Sequence, residues 1–134
     1  MSIEKVVERF YEAHNARDAA AVAALYAPDA SHEEIAQRKV KQGPKEIATG
    51  LERFFGWFPD ASWTPERRAV GANGVAMMSY LLKATLKSQM GPIAPREQAI
   101  SLRGVHLLVI RDGLIHRSED YWDADTFQRQ LNHV

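Results

Sequence analysis

Residues Arg103–Leu131 read RGVHLLVIRDGLIHRSEDYWDADTFQRQL. The pattern is that of two strands joined by a tight turn and followed by a short helix. Along those strands lie groups that a plain sheet does not need: His106, His116, Glu119 and Asp120. Asp is depleted from strands. An Asp near the end of an otherwise apolar hairpin, with a His on the facing strand, therefore points to chemistry.

Two registers compete at Ile110-Arg111-Asp112-Gly113-Leu114. A three-residue loop with Gly113 left-handed pairs Ile110 with Leu114, sets His106 opposite Ser118 and Gly104 opposite Asp120. His106 and Asp120 are then diagonal neighbours on one face, roughly 7–8 Å apart at Cα. A two-residue Asp-Gly turn pairs Arg111 with Leu114 and sends them to opposite faces. The reading favours the first register because it matches two apolar residues across the turn.

Working back towards the N-terminus, Ser62–Val70 and Val75–Gln89 read as strands, with Asn73-Gly74 as a two-residue hairpin signal between them. Met90–Arg96, with its Gly and Pro residues, is a loop, and Ala99–Ile110 is the strand that enters the quoted hairpin. Before Ala61 the period is helical. Ser2 caps a helix with an apolar face of Ile3, Val6, Val7, Phe10 and His14. Asp18 caps a second, alanine-rich helix that buries Val22, Leu25 and Tyr26 and stops before Pro28. Residues 29–43 are short-strand or loop material. A third helix starts near Pro44, with Ile47, Leu51, Phe54, Phe55 and Phe58 inward. Asp123 or Asp125 caps the terminal helix. Helices first and strands afterwards predict one α+β domain over residues 1–134, a curved, mostly antiparallel sheet wrapped around three N-terminal helices.

Length and composition suit a single soluble domain that buries roughly two-thirds of its unfolded surface. The 17 basic and 17 acidic residues cancel, so no electrostatic footprint for nucleic acid or an anionic membrane appears. The absence of cysteine excludes disulfides, thiol catalysis and thiolate metal sites. No apolar run has the length of a membrane span, and MSIEKVVERF is too charged for a signal peptide. A cytoplasmic location is the expectation.

If the His106 face looks inward, Asp120 is a carboxylate in an apolar cavity lined by phenylalanines and methionines, its pKa raised by burial. His106 would orient it, share its proton or act as partner acid. The plainer alternative is a buried ion pair of Asp120 with Arg103 or Arg117 that only fixes the sheet.

These residues resemble the SnoaL-like polyketide cyclases of the nuclear-transport-factor-2-like superfamily. VVERFYEAHNARDAAAVAALYAPDA is similar to the family's paired opening helices. GPIAPREQAISLRGVHLLVIRDGLIHRSEDYWD is similar to its Gly-Pro loop, DG-containing turn and acid-bearing last strand. The resemblance implies a cone-shaped sheet, a homodimer, no cofactor, and acid/base catalysis by Asp120 assisted by His106. SEDYWD also resembles the last strand of limonene-epoxide-type hydrolases. Their relay needs an Arg-x-Asp pair on an earlier strand, and no acid occurs between Glu66 and Glu97. ALYAPDASHEE resembles the segment carrying the base of ketosteroid isomerases, which puts Glu34 at the base position and Phe10, unable to donate, at their oxyanion-hole Tyr. Their neutral Asp donor falls near His106.

Around this pair, Glu34, His32, Phe10, Trp122, Phe54 and Met78 are the candidate substrate contacts. His32-Glu33-Glu34 also reads as a solvated loop, and His14 as a core histidine. The spacing of His32, Glu34, His106 and Asp120 resembles no metal motif. Three functions follow: a cyclase, isomerase or lyase acting on a polyketide-like apolar molecule, a non-catalytic binder of such a molecule, or a dimerisation module filled by its own side chains.

Overall fold

Ser2 accepts a hydrogen bond from the Lys5 amide at 3.1 Å and starts α1, Ile3–Asn15, in the computed structural model, which describes residues 1–132. Val6, Val7, Phe10 and His14 turn inward, as the period predicts. Asp18 caps α2 through the Ala21 amide at 3.0 Å. That helix is shorter than expected, Ala19–Ala23. Tyr26 does not continue it but opens β1, Tyr26–Glu34, and pairs with Ile115 of the last strand. Pro28 falls where this ladder shifts register, between Tyr26 and Ser31, the place in a strand that tolerates a missing donor. Residues 29–43, expected as short strand or loop, hold most of β1 and all of β2, Lys39–Gln42. Pro44 sits in the first turn of α3, Gly43–Trp57.

The remaining strands are β3 (Ser62–Val70), β4 (Val75–Thr85), β5 (Ala99–Arg111) and β6 (Leu114–Trp122), before the terminal helix α4 (Ala124–Asn132). They form one curved, open sheet of six strands in the order β2-β1-β6-β5-β4-β3. Every pairing is antiparallel except β1 with β6. Strand β4 ends at Thr85 rather than Gln89 because the chain turns to α3, with the Lys87 amide donating to the Trp57 carbonyl at 2.9 Å.

The two hairpin turns exchange the types expected of them. Gly74 alone is left-handed at the first (φ +76°), and the Gly71 amide donates to the Val75 carbonyl, which makes a three-residue loop. A Cβ at Gly74 would stand 2.2 Å from the Ile110 carbonyl oxygen, so glycine is required for packing as well as for φ. At the second turn both Asp112 (φ 54°) and Gly113 (φ 76°) are left-handed, and Arg111 pairs with Leu114 across two residues. That register was expected to separate His106 from Asp120. A bulge repairs it: Ile110 pairs with Ile115 but Val109 pairs with Arg117, leaving His116 as an extra residue on β6. His106 therefore lies directly opposite Asp120, not Ser118, and both face inward.

Candidate active site

The inner face of β4–β5–β6 carries Met78 and Tyr80, Gly104 and His106, and Ser118, Asp120 and Trp122 in register. Parallel pairing brings His32 beside Ser118 and Glu34 beside Asp120. The Tyr80 hydroxyl donates to Asp120 Oδ1 at 2.6 Å, and Nε2 of His106 stands 3.6 Å from Oδ2, a charge contact rather than a hydrogen bond. Tyr80 stacks on the His106 ring at 4.4 Å between centroids. Gly104 makes room for it, since a Cβ there would fall 2.3 Å from the Tyr80 oxygen.

His106 is 3% exposed and engaged at both nitrogens. Burial raises the pKa of Tyr11, so this phenol keeps its proton, and its hydroxyl meets His106 Nδ1 at 2.9 Å. Nε2 is the end that faces Asp120. Phe10 packs edge-on to the same ring at 5.0 Å.

Burial pushes the Asp120 carboxyl up, as expected from the sequence. It is outweighed by the positive charge and contact of His106, the Tyr80 hydrogen bond and the charge of His32. The net direction is downward, which corrects the expectation of a raised pKa and keeps the group ionised. The plainer alternative also fails: Arg117 pairs with Glu33 (2.8 Å) and Glu119 (2.7 Å), and Arg103 stands 3.6 Å from Glu66.

His32 and Glu34 are not loop residues but lie on β1. Nε2 of His32 meets Glu34 Oε2, and Nδ1 meets the Ser118 hydroxyl at 2.6 Å. Ser118 is fully buried and reaches the Tyr26 hydroxyl at 2.7 Å. The Trp122 indole donates to Glu34 Oε1 at 2.9 Å. Trp122 thus joins the polar side of the site.

Phe10 and Met78 lie on the other side of His106. Phe54 stands apart, packed on Phe58 (4.9 Å) and Trp63 (5.7 Å). The immediate partners of Asp120 are polar, contrary to the cavity of phenylalanines and methionines read from the sequence. Among the described residues two recesses lie elsewhere. One is a groove of about 440 Å³ between α1 and β3–β4, where Tyr11 and Met78 separate it from His106. The other, about 450 Å³, lies between α4 and the Arg96–Ala99 segment.

The model of one family, SnoaL-like polyketide cyclase, matches residues 4–131. The chain belongs to that family. A candidate polyketide cyclase from Xanthomonas campestris pv. campestris superposes with a TM-score of 0.84 at 22% identity, covering 97% of this chain and 96% of that one. IdmH of Streptomyces antibioticus, also a candidate polyketide cyclase, gives 0.83 at 18% identity over 99% and 100%. A Catenulispora acidiphila protein with a ketosteroid isomerase-like fold, in complex with trimethylamine, gives 0.82 at 16% identity over 96% and 93%. No curated protein matches the chain.

Within this SnoaL-like fold the sequence reading missed Tyr11, Tyr80 and Ser118. Tyr80 was reachable in principle, because it is two residues from Met78 on β4 and must share its face.

Proposed function

We propose that this SnoaL-like protein catalyses proton transfer next to a carbonyl, as an aldol-type cyclase or isomerase of a polyketide-like apolar molecule, with Asp120 as the acid/base. One observation carries the reading. A buried carboxylate, its side chain 14% exposed, is held ionised on the inner face by one phenol and one imidazole, with no arginine paired to it among the described residues. A structural ion pair would have used Arg117 or Arg103, and both are spent elsewhere. With both its nitrogens engaged, His106 is best suited to positioning Asp120.

The test is deuterium uptake from D2O at the α-carbon of 2-tetralone, an apolar bicyclic ketone. Asp120→Asn should slow it by about 10²–10⁴-fold while the fold persists. Equal rates in variant and wild type would leave a binder rather than a catalyst.

The protein is also proposed to be a homodimer joined through the outer sheet face. Met77 is 44% exposed and Tyr121 40% exposed there, beside half-buried Val105 and Leu107. Among the described residues no helix is long and apolar enough to cross a membrane.

A further inference from the structure

Enolisation needs two groups: a base at the carbon and a proton donor at the oxygen. His106 is poorly placed for the second task, being buried against Tyr80 and Tyr11. A second imidazole–carboxylate pair stands beside Asp120, since Glu34 is its direct neighbour across the parallel ladder. The side chains of His32 and Glu34 are 14% and 23% exposed, more open than His106 at 4%. We propose that the His32–Glu34 pair is the second acid/base of this site, giving a proton to the substrate's carbonyl oxygen as Asp120 takes one from the adjacent carbon. The inference rests on the proposed role of Asp120.

The hydrogen bonds around His32 are built for a group that changes protonation state. Its Nδ1 faces a hydroxyl, Ser118, which in turn faces a second hydroxyl, Tyr26. Hydroxyls rotate, and each both donates and accepts. With Nδ1 bare, Tyr26 donates to Ser118 and Ser118 donates to His32. With Nδ1 protonated, both bonds reverse. Each of the three atoms keeps a partner in both states, and the reversed state leaves only the Tyr26 O–H hydrogen without an acceptor. His14 is the contrast: its Nδ1 faces a carbonyl oxygen, that of Phe10 at 2.7 Å, which can only accept.

The charged and titratable groups facing His32 are Glu34 and Tyr26 on its own strand, Asp120 on β6 and His14 on α1. Lys41, its register partner on β2, runs over Gly50 of α3. Arg117 and Glu33 pair on the opposite face of the sheet.

The step balances. The C–H bond breaks, its proton goes to Asp120, and its electron pair becomes the new C=C while the carbonyl π pair moves to oxygen. The O–H bond forms with the proton held by the pair, which is left as neutral imidazole and carboxylate. The reverse step restores both. A carboxylate held ionised, as Asp120 is, is a weak base, which makes proton delivery at the oxygen more necessary.

The experiment is the pH profile of α-deuteration of 2-tetralone by the full chain. In the wild type the rate should fall at the alkaline end as the pair loses its proton. His32→Gln and Glu34→Gln should each slow exchange by about 10²-fold and abolish that alkaline limb. Ser118→Ala, which leaves both members of the pair in place, should keep the limb but shift it. If His32→Gln does not fold, Glu34→Gln decides, because it preserves shape and the Trp122 partner. Should both variants keep the wild-type rate and limb while Asp120→Asn is slow, this inference is overturned and the role of Asp120 stands. Should Asp120→Asn match the wild type, or the wild type show no exchange above buffer, the proposed function is overturned and this inference with it.

Discussion

Among the described residues three histidines reach the inner side of the sheet, and their partners set a silent end apart from a polar one. At the α1–β3 end His14 lies among Phe10 (4.2 Å) and Trp63 (5.1 Å), its Nδ1–H fixed on a backbone carbonyl. His106, on β5 with its ring 5.9 Å from that of His14, and His32, on β1, each face a carboxylate, and their remaining nitrogens meet hydroxyls. All three are buried or nearly so. Burial therefore does not separate a silent histidine from a working one; the partner of the second nitrogen does.

The largest effect that sharpens this contrast is in stability against pH. Burial lowers the His14 pKa to about 3 from 6.5, with the neighbouring His106 charge adding to it. Above pH 6.5 His14 is neutral in both the folded and the unfolded chain and costs nothing. As pH falls below 6.5 the unfolded chain binds a proton that the folded one refuses. Stability should then drop by about 1.4 kcal/mol per pH unit towards pH 3 from this group alone. Urea unfolding across that range should show the slope, and His14→Phe should flatten it. A variant with the wild-type slope would break the assignment of His14 to the silent end.

At the polar end, Tyr80→Phe removes a hydrogen bond to a buried charge and should destabilise by about 1.5–3 kcal/mol. It should also raise the Asp120 pKa, because a donor to the charged form is lost. Gly104→Ala attacks the same contact from below, where a new Cβ meets the Tyr80 hydroxyl and the Tyr121 carbonyl oxygen at 2.7 Å. Overpacking of this kind costs about 1–3 kcal/mol. Thermal unfolding and carboxyl-selective NMR check both, and an unmoved Asp120 signal would contradict the geometry.

The smallest effect concerns the other face of the sheet. If the outer face closes a homodimer, sedimentation at micromolar concentration should give twice 15.1 kDa, and Met77→Lys should shift the balance towards monomer. A wild-type monomer would contradict the dimer.

The polar end was half legible in the sequence. An acid inside an apolar strand marked Asp120, and a facing strand marked His106. Their shared face was reached by the wrong turn, because nothing in the residue type of His116 announces a bulge. The silent end read correctly, since helical spacing alone puts His14 among core residues. Tyr11 and Tyr80 escaped because an inward aromatic looks like core until its hydroxyl has a partner. His32 and Glu34 looked like loop because what makes β1 a strand is its parallel pairing with β6, 84 residues or more away in the chain. The helix boundary at Ala23 was lost for the same reason: Tyr26 answers to Ile115, not to its neighbours.

The contrast between the two ends is tested most directly by measuring α-deuteration of 2-tetralone for Asp120→Asn and His14→Phe side by side, at a pH where both are folded. The account predicts that Asp120→Asn loses about 10²–10⁴-fold and that His14→Phe stays near the wild-type rate. Equal losses in the two variants, or none in Asp120→Asn, would contradict it.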